Sequence, residues 1–204
     1  MALAGFVDAV GFLMLRGLFV SFMSGNSTQF ALRAGQHNWT AAATAGALVG
    51  VFVGGVAAGR LLGRIARGWR RPAILLAESA LLAAASFVRP PGFAPAALMA
   101  LAMGAQNNVL HKAGETRTPG SYVTGALVSF GERLADALVG AGPRMAWVPY
   151  LSLWLALVAG AAAGAVAYGG AGLRALFLPA VAAAILSILT GALEGRAPLE
   201  PSGG

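Results

Sequence analysis

Long stretches without a charged residue constrain this chain more than any other feature of its sequence. A membrane-spanning helix needs about 20 consecutive apolar residues, and three uncharged stretches reach or approach that length: Thr40 to Gly59, Met145 to Leu173 and Ala175 to Leu193. The 204 residues are 58% hydrophobic and only 10% charged, whereas about 25% of the residues in a soluble domain are charged. The sequence therefore predicts an all-α integral membrane protein.

The positive charge of the chain is concentrated in one connection between apolar stretches. The net charge is +7, and the connection holds Arg60, Arg64, Arg67, Arg70 and Arg71. Arginines gathered in a short loop follow the positive-inside rule, so the Arg60–Arg71 loop is predicted to be cytoplasmic and its partner is the lipid bilayer rather than nucleic acid. Cysteine is absent, and no cofactor or metal is predicted. The Ala, Gly and Arg content favours a bacterial source, and we expect a multi-pass protein of the bacterial cytoplasmic (inner) membrane.

Turn sequences divide the chain into six hydrophobic units. These cover residues 2–33, 39–66, 72–89, 93–139, 146–168 and 174–194. Polar residues interrupt the first and the fourth unit, so each half of the chain opens with a discontinuous helix. We predict one transmembrane domain over 1–195, with repeat one at 1–90 and repeat two at 91–195, followed by a disordered tail at 196–204.

The orientation of the two repeats depends on how often an interrupted unit crosses the bilayer. One crossing gives three transmembrane helices in each repeat and inverts the second repeat, whereas two crossings leave the repeats parallel. Parallel repeats predict similar charge in equivalent loops, yet the counterpart of the arginine-rich loop carries only Arg174. In the inverted scheme the outer loops hold Arg33, Arg89 and Arg174, and the inner loops hold Arg60, Arg64, Arg67, Arg70, Arg71, Arg144 and Arg196. The charges favour two inverted three-helix repeats.

The first interruption covers residues 8–28 and the second covers residues 106–125, and the two match each other along the chain. A shift of roughly one hundred positions, which is a sign of internal repetition, pairs Gly5 with Gly104 and Asp8 with Asn107. Polar residues that recur in both halves of a membrane protein point to a transport site. Fewer residues precede Asp8 than precede Asn107 in the fourth unit, so we expect the first helix to begin upstream or within the bilayer.

The first interruption contains the most informative carboxylate. Asp8 is the only acidic residue before Glu78 and lies in an apolar helix. A carboxylate at membrane depth is costly, so a cation, a proton or a solute is its expected ligand. The alternative is a structural carboxylate paired with Arg16 or with the amides of the second repeat. Ser24 or Asn26 can cap a restarting helix, and the alternative there is an ordinary loop at the membrane edge.

The second interruption opens with three consecutive amides. Successive helical side chains point about 100° apart, so Gln106, Asn107 and Asn108 cannot all face one partner. One or two are expected to face the interior and another to bridge helices, and simple interhelical hydrogen bonding is the alternative. The predicted solute- or ion-binding residues are Asp8, Ser24, Gly25, Asn26, Gln106, Asn107, Asn108, Thr124 and Gly125.

The remaining signals are weaker. Glu115 with Lys112 predicts a local ion pair, and His111 has no second metal ligand at a suitable spacing. Glu78 either pairs with an arginine or is functional, and the sequence does not decide between them. Glycines at four-residue spacing predict close helix packing, in the groups Gly46/Gly50/Gly54, Gly55/Gly59 and Gly160/Gly164.

The two interruptions resemble one known family. GFVDAVGFLMLRGLFVSFMSGNSTQFAL, together with GAQNNVLHKAG and SYVTGALVSF, is similar to the YoaK/DUF1275 family of bacterial membrane proteins. That family has a Gly-x-x-Asp-Ala helix before a Phe-Val-x-x-x-(Ser/Thr)-Gly-Asn motif, and Gln-Asn-Ala and Thr-Gly signatures in the second half. Asn108 departs from the family's Ala, and Pro119-Gly120 from its threonine. The resemblance implies a permease without an established substrate.

These patterns together predict a small secondary transporter or permease for a small polar solute or ion. Its site is expected near the bilayer midplane, where the two broken helices meet, with Asp8 coupling a proton or a cation. A channel and a non-catalytic scaffold or assembly subunit are the alternatives. An enzyme is not expected, because no nucleophile–base pair or metal set is evident. A homodimer is compatible with each of these functions.

Overall fold

The computed structural model describes residues 1–88, 92–109 and 122–194, and most of these residues are helical. The helices in these ranges are α1 (Ala2–Met14), α2 (Met23–Gly35), α3 (Trp39–Ile65), α4 (Arg70–Phe87), α5 (Phe93–Gln106), α6 (Tyr122–Leu138), α7 (Val148–Ala171) and α8 (Phe177–Glu194). Their bounds follow the six hydrophobic units to within a few residues, and the first and fourth units each consist of two helices. The predicted tail at 196–204 lies outside the described residues.

Helix-forming composition and local signals explain these elements. Ala and Leu, which have the highest helix propensities, dominate the helices. The Asn38 side chain accepts a hydrogen bond from the Ala41 N–H at 3.2 Å and caps the start of α3. Pro149 lies in the first turn of α7, where a missing N–H costs nothing. Gly172, at a φ of 56°, ends the same helix.

The first helix of each repeat packs on the third helix of the other repeat. Helix α1 packs chiefly on α7, and α5 packs chiefly on α3. Helices α4 and α8, the last of each repeat, pack on each other, while α2 lies on α3 and α6 lies on α7. This reciprocal arrangement is what a twofold relation between two similar halves produces.

Matched glycines make the two equivalent interfaces possible. A Cβ atom on Gly5 would meet the Leu157 carbonyl of α7, and one on Gly104 would meet the Phe52 carbonyl of α3. The partner helices contribute glycines in the same way. In α7, Gly160 faces the backbone of Ala2 and Gly164 faces that of Phe6. In α3, Gly55 faces the backbone of Leu101 and Gly59 faces that of Ala105. The predicted packing role is confirmed for these last four glycines. Gly50 and Gly54 face open space and pack on no helix of the described chain.

The exterior of the helices is strongly apolar. Two segments, Trp39–Ile65 and Val148–Glu194, are long and apolar enough to cross a membrane by length and composition, and α1 and α5 are shorter apolar helices. Large hydrophobic side chains face outward, with Ile65 80%, Val166 79% and Leu138 79% exposed. Such a surface is expected of a protein whose solvent is lipid. That six units cross the bilayer as inverted repeats stays a prediction.

Candidate functional site

The break between α1 and α2 is a non-helical segment of turns and bends over residues 15–22. Arg16 and Gly17 have positive φ angles of 53° and 109°, a conformation that ends α1 and turns the chain. The segment that follows carries no helix until Met23, and it buries Leu18 and Val20 in the core. The predicted interruption of the first unit is therefore confirmed, and its backbone N–H and C=O groups need partners other than a helix.

Asp8 is the hydrogen-bond partner of two of those backbone N–H groups. Its Oδ1 atom accepts hydrogen bonds from the Val20 N–H and the Ser21 N–H, each at 2.8 Å. Hydrogen bonds to a carboxylate are stronger than those between neutral groups, so Asp8 fixes the path of the segment as it approaches α2. The structural alternative named Arg16 or the second repeat as its partner, whereas the partners in the structure are backbone amides of the same repeat.

Asn26 forms hydrogen bonds with Phe19, the residue of the break that precedes Val20. Its Oδ1 atom accepts from the Phe19 N–H at 2.9 Å, and its Nδ2 atom donates to the Phe19 carbonyl at 2.6 Å. The side chain is fully buried, so both polar groups of Phe19 are satisfied away from water. Asn26 was predicted as a candidate helix cap; instead, α2 has Phe22 at its N-cap without any side-chain cap.

Ser24 and Gly25 have different surroundings. The Ser24 side chain is exposed, and its carbonyl accepts from the Thr28 hydroxyl at 3.1 Å. A Cβ atom on Gly25 would collide with the ring of Phe22. That ring packs edge-on against Phe19, with centroids 5.2 Å apart. Gly25 is therefore needed to seat an aromatic ring beside the break, while Ser24 remains accessible.

The three consecutive amides at the end of α5 have three separate partners, as predicted from their spacing. Gln106 Nε2 donates to Glu78 Oε1 at 2.8 Å, Asn107 Nδ2 donates to the Met103 carbonyl at 2.8 Å, and Asn108 Nδ2 donates to the Val56 carbonyl at 2.9 Å. Asn108 thus bridges α5 to α3, and Gln106 bridges α5 to α4. Arg70 Nη2 also donates to the Asn108 carbonyl at 2.6 Å.

Glu78 is the functional candidate that the sequence left undecided. It lies near the midpoint of α4 and its exposed fraction is 0%. Its Oε2 atom is buried and has no hydrogen-bond partner among the described residues. The arginine predicted as one option is not its partner, because Arg70 binds the Asn108 carbonyl and Arg71 lies 4.0 Å from Glu194.

A negative charge on the Glu78 side chain would be energetically costly. A hydrogen bond to a charged group contributes about 1.5–3 kcal/mol. Moving a carboxylate out of water costs several kcal/mol even after the protein relaxes. The Gln106 amide alone therefore does not balance a negative charge on Glu78. Only the position of Glu78 in an apolar stretch signalled this in the sequence, since its distance from Gln106 along the chain conceals the pairing.

The structure does not gather all the predicted site residues into one place. Thr124 and Gly125 are exposed on α6, which packs on α7 rather than on α1 or α5. Asp8 lies on α1 and the three amides lie at the end of α5, and these two helices touch only slightly. An open groove of about 670 Å³ contains none of these residues and is lined by Leu15, Thr40, Ala43, Thr44, Ala47, Gly92 and Phe93.

His111, Lys112 and Glu115 lie outside the described residues. Within the described ranges, no three His, Cys, Asp or Glu side chains cluster in a way that could hold a metal ion.

Fold and site together define an all-helical membrane protein with a side-chain-supported break in its first helix. The chain belongs to the family described as "Protein of unknown function (DUF1275)", whose profile matches residues 1–189. It is similar to the "UPF0700 transmembrane protein" of Rhizobium meliloti (strain 1021), with 38% identity over 185 residues that cover 91% of this chain and 80% of that protein. No solved structure matches the chain. The family resemblance seen in the two interruptions is thus confirmed.

Proposed function

We propose that this protein is a small secondary transporter, or permease, for a small polar solute or ion. The observation that carries the proposal is the reciprocal packing of α1 on α7 and of α5 on α3, with Gly5 and Gly104 in equivalent contacts. Secondary transporters are commonly built from two related halves with discontinuous helices, and one half rocks against the other around a central site. Smooth helix contacts lined by glycine permit such rigid-body movement.

The first break fits a role at membrane depth. Irregular backbone is tolerated there only where protein or a water-filled cavity satisfies it. Asn26 binds the N–H and the carbonyl of Phe19, and Asp8 binds the N–H groups of Val20 and Ser21. These bonds lower the polar cost of the break at membrane depth. Its outer side remains available to a solute, and there Ser24 is exposed.

We also propose the membrane in which the protein lies and its orientation there. Six transmembrane units form two inverted repeats in a bacterial cytoplasmic membrane, with the Arg60–Arg71 loop on the cytoplasmic side. The solute site lies between the repeats and is completed by residues of both breaks when the repeats move. The protein is not an enzyme. Its apolar outer faces contact lipid and suit a homodimer.

Solute counterflow into proteoliposomes tests this function. Purified protein is first screened by thermal shift against small polar solutes and inorganic ions, and the compounds that stabilise it are then loaded into vesicles. We expect saturable uptake of a labelled solute that is accelerated by the same solute inside, because a carrier exchanges its substrate. Protein-free vesicles give the background. Non-saturable flux without exchange would instead indicate a channel, and the absence of flux for every stabilising compound would favour a scaffold.

A further inference from the structure

Glu78 occupies a closed position between helices of both repeats. Helix α4 packs on α5, α8 and α3, and the face that carries Glu78 also buries Ile74, Leu75 and Leu82. The carboxyl group is therefore surrounded by apolar side chains, with the Gln106 amide as the polar group that contacts it. This position lies about 12 Å along the helix axis from Arg70 at the start of α4, at a rise of 1.5 Å per residue.

The charged groups around Glu78 are few and mostly occupied. On α4, Arg70 and Arg71 bind the Asn108 carbonyl and Glu194. On α8, Glu194 follows an uncharged stretch, and α5 carries no charged residue. The charges on α3 and on the two connecting turns are exposed at Arg60, Arg64, Arg67 and Arg174. The α-amino group of Met1 forms no ion pair with Glu78 in the described structure.

We infer that Glu78 and Gln106 form a proton-binding site, in which the Glu78 carboxyl group carries a single proton and the Gln106 amide fixes its orientation. Gln106 donates to Oε1, which leaves Oε2 as the atom that binds the proton. A buried acid with no cation in contact takes up a proton rather than remain ionised. A metal cation would need several oxygen ligands, and no cluster of metal-binding side chains occurs in the described ranges.

Among the described residues, the acid of the site lies in the first repeat and has no equivalent in the second. Five of the seven buried residues of α4 have the spacing of the five buried residues of α8, while Pro72 and Ala85 have no counterpart. The matching sets are Ile74, Leu75, Glu78, Leu82 and Ser86 in α4, and Pro179, Ala180, Ala183, Ser187 and Gly191 in α8. Ala183 therefore occupies the place of Glu78 in the second repeat. One proton per chain follows from this asymmetry, and within the proposed transport function, on which this step rests, one proton is moved in each cycle.

Infrared difference spectroscopy tests the binding site without any transport measurement. A pH jump on reconstituted wild-type protein should change a carboxylic C=O band that shifts in D₂O. We expect Glu78→Gln to lose this band, while Asp8→Asn and Glu194→Gln keep it. Gln106→Leu should keep the band but move it to higher frequency, because the C=O group loses its hydrogen bond. A band that survives in Glu78→Gln, or that is missing from the wild type, overturns the inference.

Proton flux tests the coupling step separately. Proteoliposomes that contain the pH-sensitive dye pyranine receive an acid pulse, with the solute found by counterflow on the inside. We expect proton entry with the wild type and background entry with Glu78→Gln, while solute exchange persists in that variant. Unchanged proton entry in Glu78→Gln overturns the coupling role. If the wild type exchanges no solute, the transport function fails, whereas the infrared band still decides on the proton site.

Discussion

Asn26 binds both backbone polar groups of Phe19, accepting from its N–H at 2.9 Å and donating to its carbonyl at 2.6 Å. The side chain thus takes the place that a neighbouring strand would take in a sheet. Phe19 and Asn26 are seven positions apart along the chain, so the start of α2 supports the segment that leads into it. The break in the first helix is consequently a built structure, and the Ser-Gly-Asn sequence is the part of α2 that builds it.

Replacing Asn26 should destabilise the protein strongly. Asn26→Ala leaves the Phe19 N–H and carbonyl buried without partners, and each such group costs about 1–3 kcal/mol. We expect a loss of about 2–4 kcal/mol in unfolding free energy, measured by reversible unfolding in mixed SDS and detergent micelles. The control is Ser27→Ala, whose exposed hydroxyl donates only to the Met23 carbonyl. Equal stability of the two variants would refute the support role of Asn26.

Two substitutions separate the hydrogen-bonding role of Asp8 from its charge. Asp8→Asn keeps an oxygen that accepts from Val20 and Ser21, whereas Asp8→Ala removes the acceptor altogether. We expect Asp8→Ala to lose about 2–4 kcal/mol, since two N–H groups lose their partner, and Asp8→Asn to lose less than half of that. Folded Asp8→Asn should also retain counterflow of the identified solute. Loss of coupling in this variant with unchanged stability would return the coupling role to Asp8, as the sequence first indicated.

Adjacent glycines in α3 give a matched test of the repeat interface. A Cβ atom on Gly55 would meet the Leu101 carbonyl of α5, whereas Gly54 faces open space. Gly55→Ala should cost about 1–3 kcal/mol through overpacking. Gly54→Ala should be neutral or up to about 1 kcal/mol stabilising, because Ala has the higher helix propensity. Thermal unfolding in detergent compares the two variants, and the same ranking is expected for Gly160→Ala against Gly169→Ala, since Gly169 also faces open space.

Sequence patterns anticipated the helices better than the contacts of the polar residues. Uncharged stretches and turn residues placed the helix bounds within a few residues, because burial in lipid demands long apolar segments. The spacing of Gly55, Gly59, Gly160 and Gly164 also identified the packing faces. The pairing of Gly5 with Gly104 by repeat alignment reappears as two equivalent backbone contacts.

These sequence patterns did not reveal hydrogen-bond partners that lie apart along the chain. Glu78 and Gln106 are on different helices, and no periodicity links a single acid to a single amide. Asn26 looked like a helix cap because Asn is a preferred capping residue, yet its position inside the first turn of α2 turns it back toward Phe19. Tertiary geometry decided both cases.

The Glu78–Gln106 pair predicts a specific non-additivity. Gln106→Leu removes the donor to Glu78 Oε1 and should cost about 1–3 kcal/mol, because a buried acceptor is left without a partner. Glu78→Leu combined with Gln106→Leu replaces both partners by apolar side chains and should recover most of that loss. Unfolding free energies of the wild type, the two single variants and the double variant give the interaction energy. Simple additivity of the two single effects would show that the pair does not interact.

Single cysteines can decide whether the repeats are inverted, since the native chain contains no cysteine. Arg67, Arg144 and Arg174 are exposed in three different connections, so each tolerates replacement by Cys with little effect on folding. Inverted repeats predict that Arg67→Cys and Arg144→Cys react with a membrane-impermeant maleimide only in inverted vesicles, and Arg174→Cys only in intact cells. Parallel repeats would put Arg67→Cys and Arg174→Cys on one side and Arg144→Cys on the other. Labelling after membrane disruption serves as the control for reactivity, because all three cysteines must then react.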